Sequence, residues 1–341
     1  MEQLSDFTTL RVGGPAQKIV HAHTEDELIE FVKAADAASE QVLILGGGSN
    51  LLISDSGFAG TVIRVESKGS ALDYDACSGG MIEVAAGEDW DKFVELTINK
   101  GFADLESLSG IPGTIGGAPI QNIGAYGHEV SETIARVKAY DRKKSEVVTL
   151  SNEQCNFSYR NSLFKQEVGR YVILSVTFQL RKGEASMPIT YIELANHLGI
   201  NLGERAVVTK VRQAVLELRG RKGMLLNPAD TNTYSAGSFF INPILSKDQA
   251  DKLPKDAPRW PQADGRVKTS AAWLMEHAGI NKGEKLAGAQ ISNKHVLALT
   301  NSGDAKAEDS VELAKKARAA VFEKFGIKLQ AEVQLVGLDL N

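Results

Sequence analysis

The chain has 341 residues, enough for about two or three domains at roughly 150 residues each, and its 43% hydrophobic and 24% charged residues exclude a disordered or fibrous protein. Its 38 Lys and Arg stand against 43 Asp and Glu, a net charge of -5, so the basic surplus of a dedicated nucleic-acid binder is absent. The two cysteines, Cys77 and Cys155, exclude a disulfide framework and a four-cysteine metal site, and both read as small buried apolar side chains.

Residues 1–6 carry neither a basic nor an apolar leader pattern, so no secretory signal is expected and the compartment expected is the cytoplasm. Thr24 and Glu27 have the spacing of a capping box, and Leu28, Phe31, Val32 and Ala35 follow at helical intervals. Strands are predicted at 42–45, 51–53 and 61–65. A second region opens with a strand at 81–85. A helix from about 88 follows, with Trp90, Phe93, Val94 and Ile98 on one side and Gly101 as its stop. Strands at 146–150 and 171–180 come next. An amphipathic helix over 204–219 carries Val207, Val208, Val211, Val215 and Leu218. Beyond the basic turn 219–223 lie a loop-rich stretch at 227–264, helices near 270–277 and 308–325, and an alternating strand over 328–338. This order is mixed α+β and not a regular βαβ array.

Residues 107–127 carry no charge and have the length of a membrane span. Gly110, Gly113, Gly116, Gly117, Gly124 and Gly127, with Pro112 and Pro119, cannot hold a helix in lipid, so no membrane segment is expected. No P-loop and no nucleophile elbow occurs. The run from Gly46 fails the Rossmann fingerprint, because Leu51 stands where the third glycine belongs. His21 and His23 share a strand-like segment with no carboxylate at ligand spacing, so no metal site is predicted there.

Two glycine-dense segments remain. One is Leu45-Gly46-Gly47-Gly48-Ser49-Asn50-Leu51. The other is Ser109-Gly110-Ile111-Pro112-Gly113-Thr114-Ile115-Gly116-Gly117, continued by Gln121-Asn122-Ile123-Gly124-Ala125-Tyr126-Gly127. Successive backbone N–H groups in such turns form anion-binding concavities, and glycine allows close approach to a ligand. A glycine run alone also suits a plain turn. Two together suit the pyrophosphate of a dinucleotide held without a Rossmann helix.

These segments, with Tyr159-Arg160-Asn161-Ser162 and Ala236-Gly237-Ser238-Phe239-Phe240 followed by Asn242-Pro243, carry a resemblance along nearly the whole chain. The chain resembles the UDP-N-acetylenolpyruvoylglucosamine reductase (MurB) family, type I. That resemblance implies an α+β fold. An FAD-binding module of the vanillyl-alcohol-oxidase (PCMH) type would occupy two α/β subdomains, 1–67 and 68–219. A C-terminal α+β substrate domain, 220–326, would follow, and a last strand, 327–341, would return to the FAD-binding part. It implies noncovalent FAD, since neither His nor Cys lies in 46–51. The implied FAD contacts are Gly46, Gly47, Gly48, Ser49, Asn50, Leu51, Ser109, Gly110, Pro112, Gly113, Thr114, Ile115, Gly116, Gly117, Asn122, Gly124, Ala125 and Tyr126.

By the same resemblance Ser238 is the general acid and Arg160 and Glu332 its charged partners. The implied reaction is NADPH-dependent reduction of UDP-N-acetylglucosamine enolpyruvate to UDP-N-acetylmuramate in peptidoglycan precursor synthesis. The residue types suit it. A guanidinium fork fits the enolate that hydride addition creates, and a held serine hydroxyl can protonate the adjacent carbon. Tyr191 resembles the tyrosine that closes over substrate, though a buried aromatic would read the same. Asn242 resembles a diphosphate contact, as does Lys222. The spacer between Lys222 and Ser238 is longer than in enterobacterial relatives, which leaves Arg219 or Arg221 as alternatives to Lys222. The expected partners are small molecules only, and a monomer is expected. The rival reading is an FAD-dependent oxidase of the same superfamily acting on a sugar or lactone.

Overall fold

The computed structural model describes residues 2–75 and 79–341. Thr24 caps the helix Glu25–Ala37 by accepting the Glu27 N–H at 3.1 Å. The Glu27 carboxylate accepts from His23 rather than from Thr24, so the reciprocal bond of the predicted box is shifted by one residue. Asp89 caps the helix Trp90–Asn99 through the Lys92 N–H, and Gly101, at φ +75°, follows its end in the left-handed conformation.

The chain divides into two units, each assembled from separated stretches. One comprises Ala16–Gly47 and Ala59–Arg221. It contains a three-stranded sheet in the order Ala16–Ala22, Phe58–Val65, Val42–Leu45, with residues 42–45 running parallel to 61–64. A five-stranded antiparallel sheet has the order Glu146–Ser151, Ile134–Asp141, Tyr171–Leu180, Gly79–Ala85, Ser70–Asp75. Phe178 on its central strand packs against Phe93 and Trp90, with ring centroids 5.0 and 6.0 Å away. The Trp90 indole N–H finds the Leu108 carbonyl at 2.9 Å, so the aromatic core also ties down the segment before the second glycine loop.

The other unit comprises Met1–Pro15, Gly48–Phe58 and Lys222–Asn341. Its four-stranded antiparallel sheet runs Ser235–Ser238, Ala298–Asn301, Ala289–Ile291, Lys285–Leu286. The helix Ala307–Phe325 buries Val311, Leu313, Ala314, Ala317 and Val321 in the same core as Ile291 and Leu299. Leu51–Ile53 pairs in parallel with Gln334–Val336.

Three expectations need correction. The 204–219 helix begins at Val208 and ends at Arg221. Val207 pairs with Ala185, and Glu204 bonds Asn201, so 204–207 are spent on loop contacts. The strand over 328–338 shrinks to Gln334–Val336, with Ala331 in an isolated bridge to Phe240. Glu332 therefore lies between pairing residues, not within a continuous strand. His21 and His23 do meet a carboxylate, since Glu66 Oε2 is 3.2 and 3.6 Å from their Nδ1 atoms. No group of three metal-binding side chains forms among the described residues. Cys155 is fully buried, and desolvation pushes its thiol up to about 12. Cys77 lies outside the described residues. Among those residues no helix is long and apolar enough to cross a membrane.

Candidate active site

The two glycine segments touch each other within one unit. A Cβ on Gly46 would lie 2.4 Å from Thr114 Oγ1, and one on Gly47 would lie 2.7 Å from Gly113 Cα. At Gly47 the backbone of the second loop excludes a side chain, and at Gly46 the Thr114 hydroxyl stands in its way. That loop is itself fixed. Gly113 O accepts from Trp90 N, Ile115 N donates to Glu88 O, and Gly116 N donates to Ala86 O. The Asp91 carboxylate accepts the Gly110 N–H at 2.6 Å and a two-pronged bond from Arg212 at 2.6 and 2.9 Å. Burial works to raise the Asp91 carboxyl, but Arg212 and the Gly110 N–H outweigh it and hold it below its ordinary value. The N–H groups of Gly47, Gly113 and Thr114 donate to no oxygen of the described residues. Unspent amides in a concavity that admits no side chain suit the oxygens of a pyrophosphate.

In the other unit, Gly48 sits at φ +59°, and a Cβ there would fall 1.9 Å from the Phe7 carbonyl oxygen. Its own carbonyl accepts from Thr9 N. Asn50 Nδ2 donates to the Glu332 carbonyl at 3.1 Å.

Arg160 adopts φ +51° in the turn 158–161. Its Nη2 donates to the Gly124 carbonyl at 2.7 Å and its Nη1 to the Asn122 carbonyl at 3.4 Å, joining it to the second glycine segment. The Asn122 side chain is committed to that segment's own scaffold. Its Nδ2 donates to Glu129 and to the Ser158 carbonyl, and its Oδ1 accepts from Ser131 N. Tyr126 meets Tyr191 edge to face, with centroids 5.5 Å apart, and burial pushes the Tyr126 phenol up to about 12. Tyr191 is 39% exposed, so it is not a core residue. Arg219 donates from Nε to the Gly110 carbonyl at 3.1 Å, and its charge is felt at Tyr126.

Ser238 ends its strand beside Gly237, whose φ of +73° and open Cβ direction leave space on one side. Two buried phenylalanines fix the backbone just after it. Phe239 N donates to Leu297 O, and Phe239 O accepts the Glu332 N–H at 2.8 Å. Ser238 and Glu332, far apart in sequence, thus lie on neighbouring backbones. Asn242 Oδ1 accepts the Ala271 N–H at 2.9 Å, and Lys222 opens the C-terminal stretch of this unit. Arg160 belongs to the other unit. Sequence reasoning missed the Asp91–Arg212 pair that holds the second glycine loop. With the partners 121 positions apart, no spacing pattern announces it.

The α+β fold and the glycine cradle suit a protein that holds a dinucleotide cofactor by its pyrophosphate. A family described as an FAD binding domain matches residues 16–151, and one described as UDP-N-acetylenolpyruvoylglucosamine reductase, C-terminal domain, matches 227–336. A UDP-N-acetylenolpyruvoylglucosamine reductase of Cutibacterium acnes is 50% identical, over 98% of this chain and 89% of its own length. One of Streptomyces avermitilis is 47% identical, over 99% of this chain and 94% of its own length. The crystal structure of UDP-N-acetylenolpyruvylglucosamine reductase (MurB) from Thermus caldophilus superposes with a TM-score of 0.67 at 26% identity, covering 98% of this chain and 97% of that one. The chain belongs to the UDP-N-acetylenolpyruvoylglucosamine reductase family.

Proposed function

We propose that this chain reduces UDP-N-acetylglucosamine enolpyruvate to UDP-N-acetylmuramate with electrons from NADPH. The observation that carries the reading is the near-full-length relationship at 50% identity, which spans both the flavin module and the C-terminal domain. Bound FAD would supply the hydride-transfer chemistry between NADPH and the enolpyruvyl group. The amides of Gly47, Gly113 and Thr114 would hold its pyrophosphate noncovalently, with Gly46, Gly48–Leu51, Ser109–Gly117 and Asn122–Tyr126 as the surrounding contacts. Arg160 would neutralise the substrate carboxylate as enolate charge develops there. Ser238 Oγ would give its proton to the neighbouring carbon, and Glu332 would orient or polarise the same group. Tyr191 would cover the substrate, while Asn242 and Lys222, or Arg219, would meet its diphosphate. The protein would act in the cytoplasm as a monomer, on small molecules and not on nucleic acid.

An anaerobic absorbance titration tests this. NADPH should bleach the flavin bands, and the enolpyruvyl sugar nucleotide should restore them without oxygen. Recovery only on admitting oxygen would favour an oxidase of the same superfamily. Absence of a flavin spectrum even after FAD is added would remove the cofactor reading.

Arg160→Lys should lower kcat/KM by roughly 10²-fold despite keeping the charge. An ammonium cannot both reach the Gly124 and Asn122 carbonyls and present a planar fork. A steady-state comparison showing near-normal kcat/KM would refute the assignment.

A further inference from the structure

His128 is 8% exposed and follows the second glycine segment directly. Its Nδ1 lies 2.8 Å from Glu132 Oε2, and its Nε2 lies 3.1 Å from the Pro188 carbonyl oxygen. A carbonyl oxygen only accepts. The Glu132 carboxylate also accepts, since its Oε1 takes the Glu129 N–H at 2.8 Å. No tautomer of a neutral imidazole serves two acceptors; only the imidazolium, with an N–H on each nitrogen, does. Burial alone would lower the pKa of this histidine, but the hydrogen bond and charge of Glu132 outweigh it, so the ring holds its proton above the ordinary value. Glu132 responds in kind. Burial works to raise its carboxyl, and the His128 and Glu129 hydrogen bonds prevail and lower it.

Pro188 belongs to a strap that leads straight to Tyr191. Met187 N–H is held by Glu106 Oε1 at 3.0 Å, Ile189 N–H by Glu204 O at 2.9 Å, and Ser186 O by Arg205 Nη1 at 2.6 Å. Glu106 is 1% exposed, and its second oxygen takes the Asp104 N–H. A Cβ on Gly127 would fall 2.2 Å from Thr190 Oγ1, so the hairpin carrying His128 also meets the strap next to Tyr191. The charged groups around the ring are Glu132 and Glu129 on its own segment, Glu106 under the Met187 amide, and Arg205, which reaches the strap from the 201–207 loop. Asp104, behind Glu106, is paired with Arg181.

We propose that His128, as an imidazolium held by Glu132, is a positioning residue for Tyr191: it clamps the strap 186–190 through the Pro188 carbonyl and releases it on losing its proton. The inference rests on the reading of Tyr191 as a substrate contact. The sign follows from the chemistry. With its folded pKa raised, the clamp is complete below about pH 6.5 and is lost as pH rises through the folded value. On deprotonation the surviving N–H stays with the Glu132 carboxylate, the stronger acceptor. Nε2 then turns a lone pair toward the Pro188 oxygen, and attraction becomes repulsion.

The test uses the full-length holoenzyme as wild type, His128→Gln and His128→Ala. KM for UDP-N-acetylglucosamine enolpyruvate and kcat are measured from about pH 6 to about pH 9, with amide exchange of Met187 and Ile189 followed in parallel. In the wild type KM should rise about fivefold or more across the titration while kcat at saturation stays level. The glutamine variant keeps a donor toward Pro188 but cannot titrate, so its KM should stay low and flat. The alanine variant should show a raised, flat KM and faster strap exchange. A glutamine variant that keeps the wild-type pH profile, or unchanged exchange in the alanine variant, would overturn the clamp. Faster exchange with unchanged KM would overturn its link to substrate. Should the wild-type flavin fail to be reoxidised by this substrate, the functional reading falls instead, and the exchange comparison still decides the clamp.

Discussion

Ser238→Ala is expected to leave flavin reduction by NADPH at its wild-type rate and to slow reoxidation by the enolpyruvyl substrate by roughly 10²-fold or more. The two half-reactions can be separated because the substitution removes one hydroxyl from a rigid frame. The backbone on either side is fixed by the strand pairing with Ala298 and by the Phe239–Leu297 and Phe239–Glu332 bonds, none of which uses the Ser238 side chain. The variant should fold and keep its colour. Stopped-flow absorbance under anaerobic conditions reads both steps, and equal losses in the two would exclude Ser238 as the proton donor.

Gly47→Val should give a protein that purifies without flavin. The first added carbon would already stand 2.7 Å from Gly113 Cα, a backbone atom that cannot rotate away. The second loop would have to move, and with it the Gly113 and Thr114 amides. Its anchors resist that, because Trp90 N, Asp91 and Ala86 O all hold the loop in its present course. The overpacking costs about 1–3 kcal/mol or more and falls on the cradle itself. The ratio of absorbance at the flavin band to that at the protein band is the measurement, and a fully yellow variant would show that the glycines serve only the turn.

Much of the fold is written locally. Thr24, Asp89 and Ser270 each precede an apolar helical pattern, and each accepts the N3 amide in the structure. The strand Tyr171–Leu180 is an apolar run bounded by turn residues, and it is central in its sheet. The strand Ile134–Asp141 escaped notice because Arg136, Lys138 and Asp141 break its apolar pattern. Asp141 is buried only by virtue of Arg170, which lies outside any local window. The alternation of 328–338 mimics a long strand, yet its partners are two short, unrelated segments, Phe240 and Leu51–Ile53. The glycine cradle was legible because close backbone approach leaves only one residue type. Arg160, Ser238 and Glu332 were not legible from chemistry alone. Their roles depend on what long-range pairing sets beside them, and the family resemblance, not the residue pattern, drew attention to them.

The interleaved chain course has a consequence for biogenesis. The unit of Ala16–Gly47 and Ala59–Arg221 is complete once residue 221 has emerged from the ribosome. The other unit must wait. Its strand Leu51–Ile53 has no parallel partner until Gln334–Val336 is made, and Asn50 meets the Glu332 carbonyl across 282 positions of sequence. At about 5–20 residues per second, the early segment spends roughly 15–55 seconds with an unpaired edge. This pairing is therefore a late step of folding, and it is the step that brings Glu332 beside the strand of Ser238. A nascent chain stalled before residue 331 would hold the first unit complete, with Gly46 and Gly47 against the second glycine loop, while Leu51–Ile53 and Phe239 still lacked their partners in 332–336.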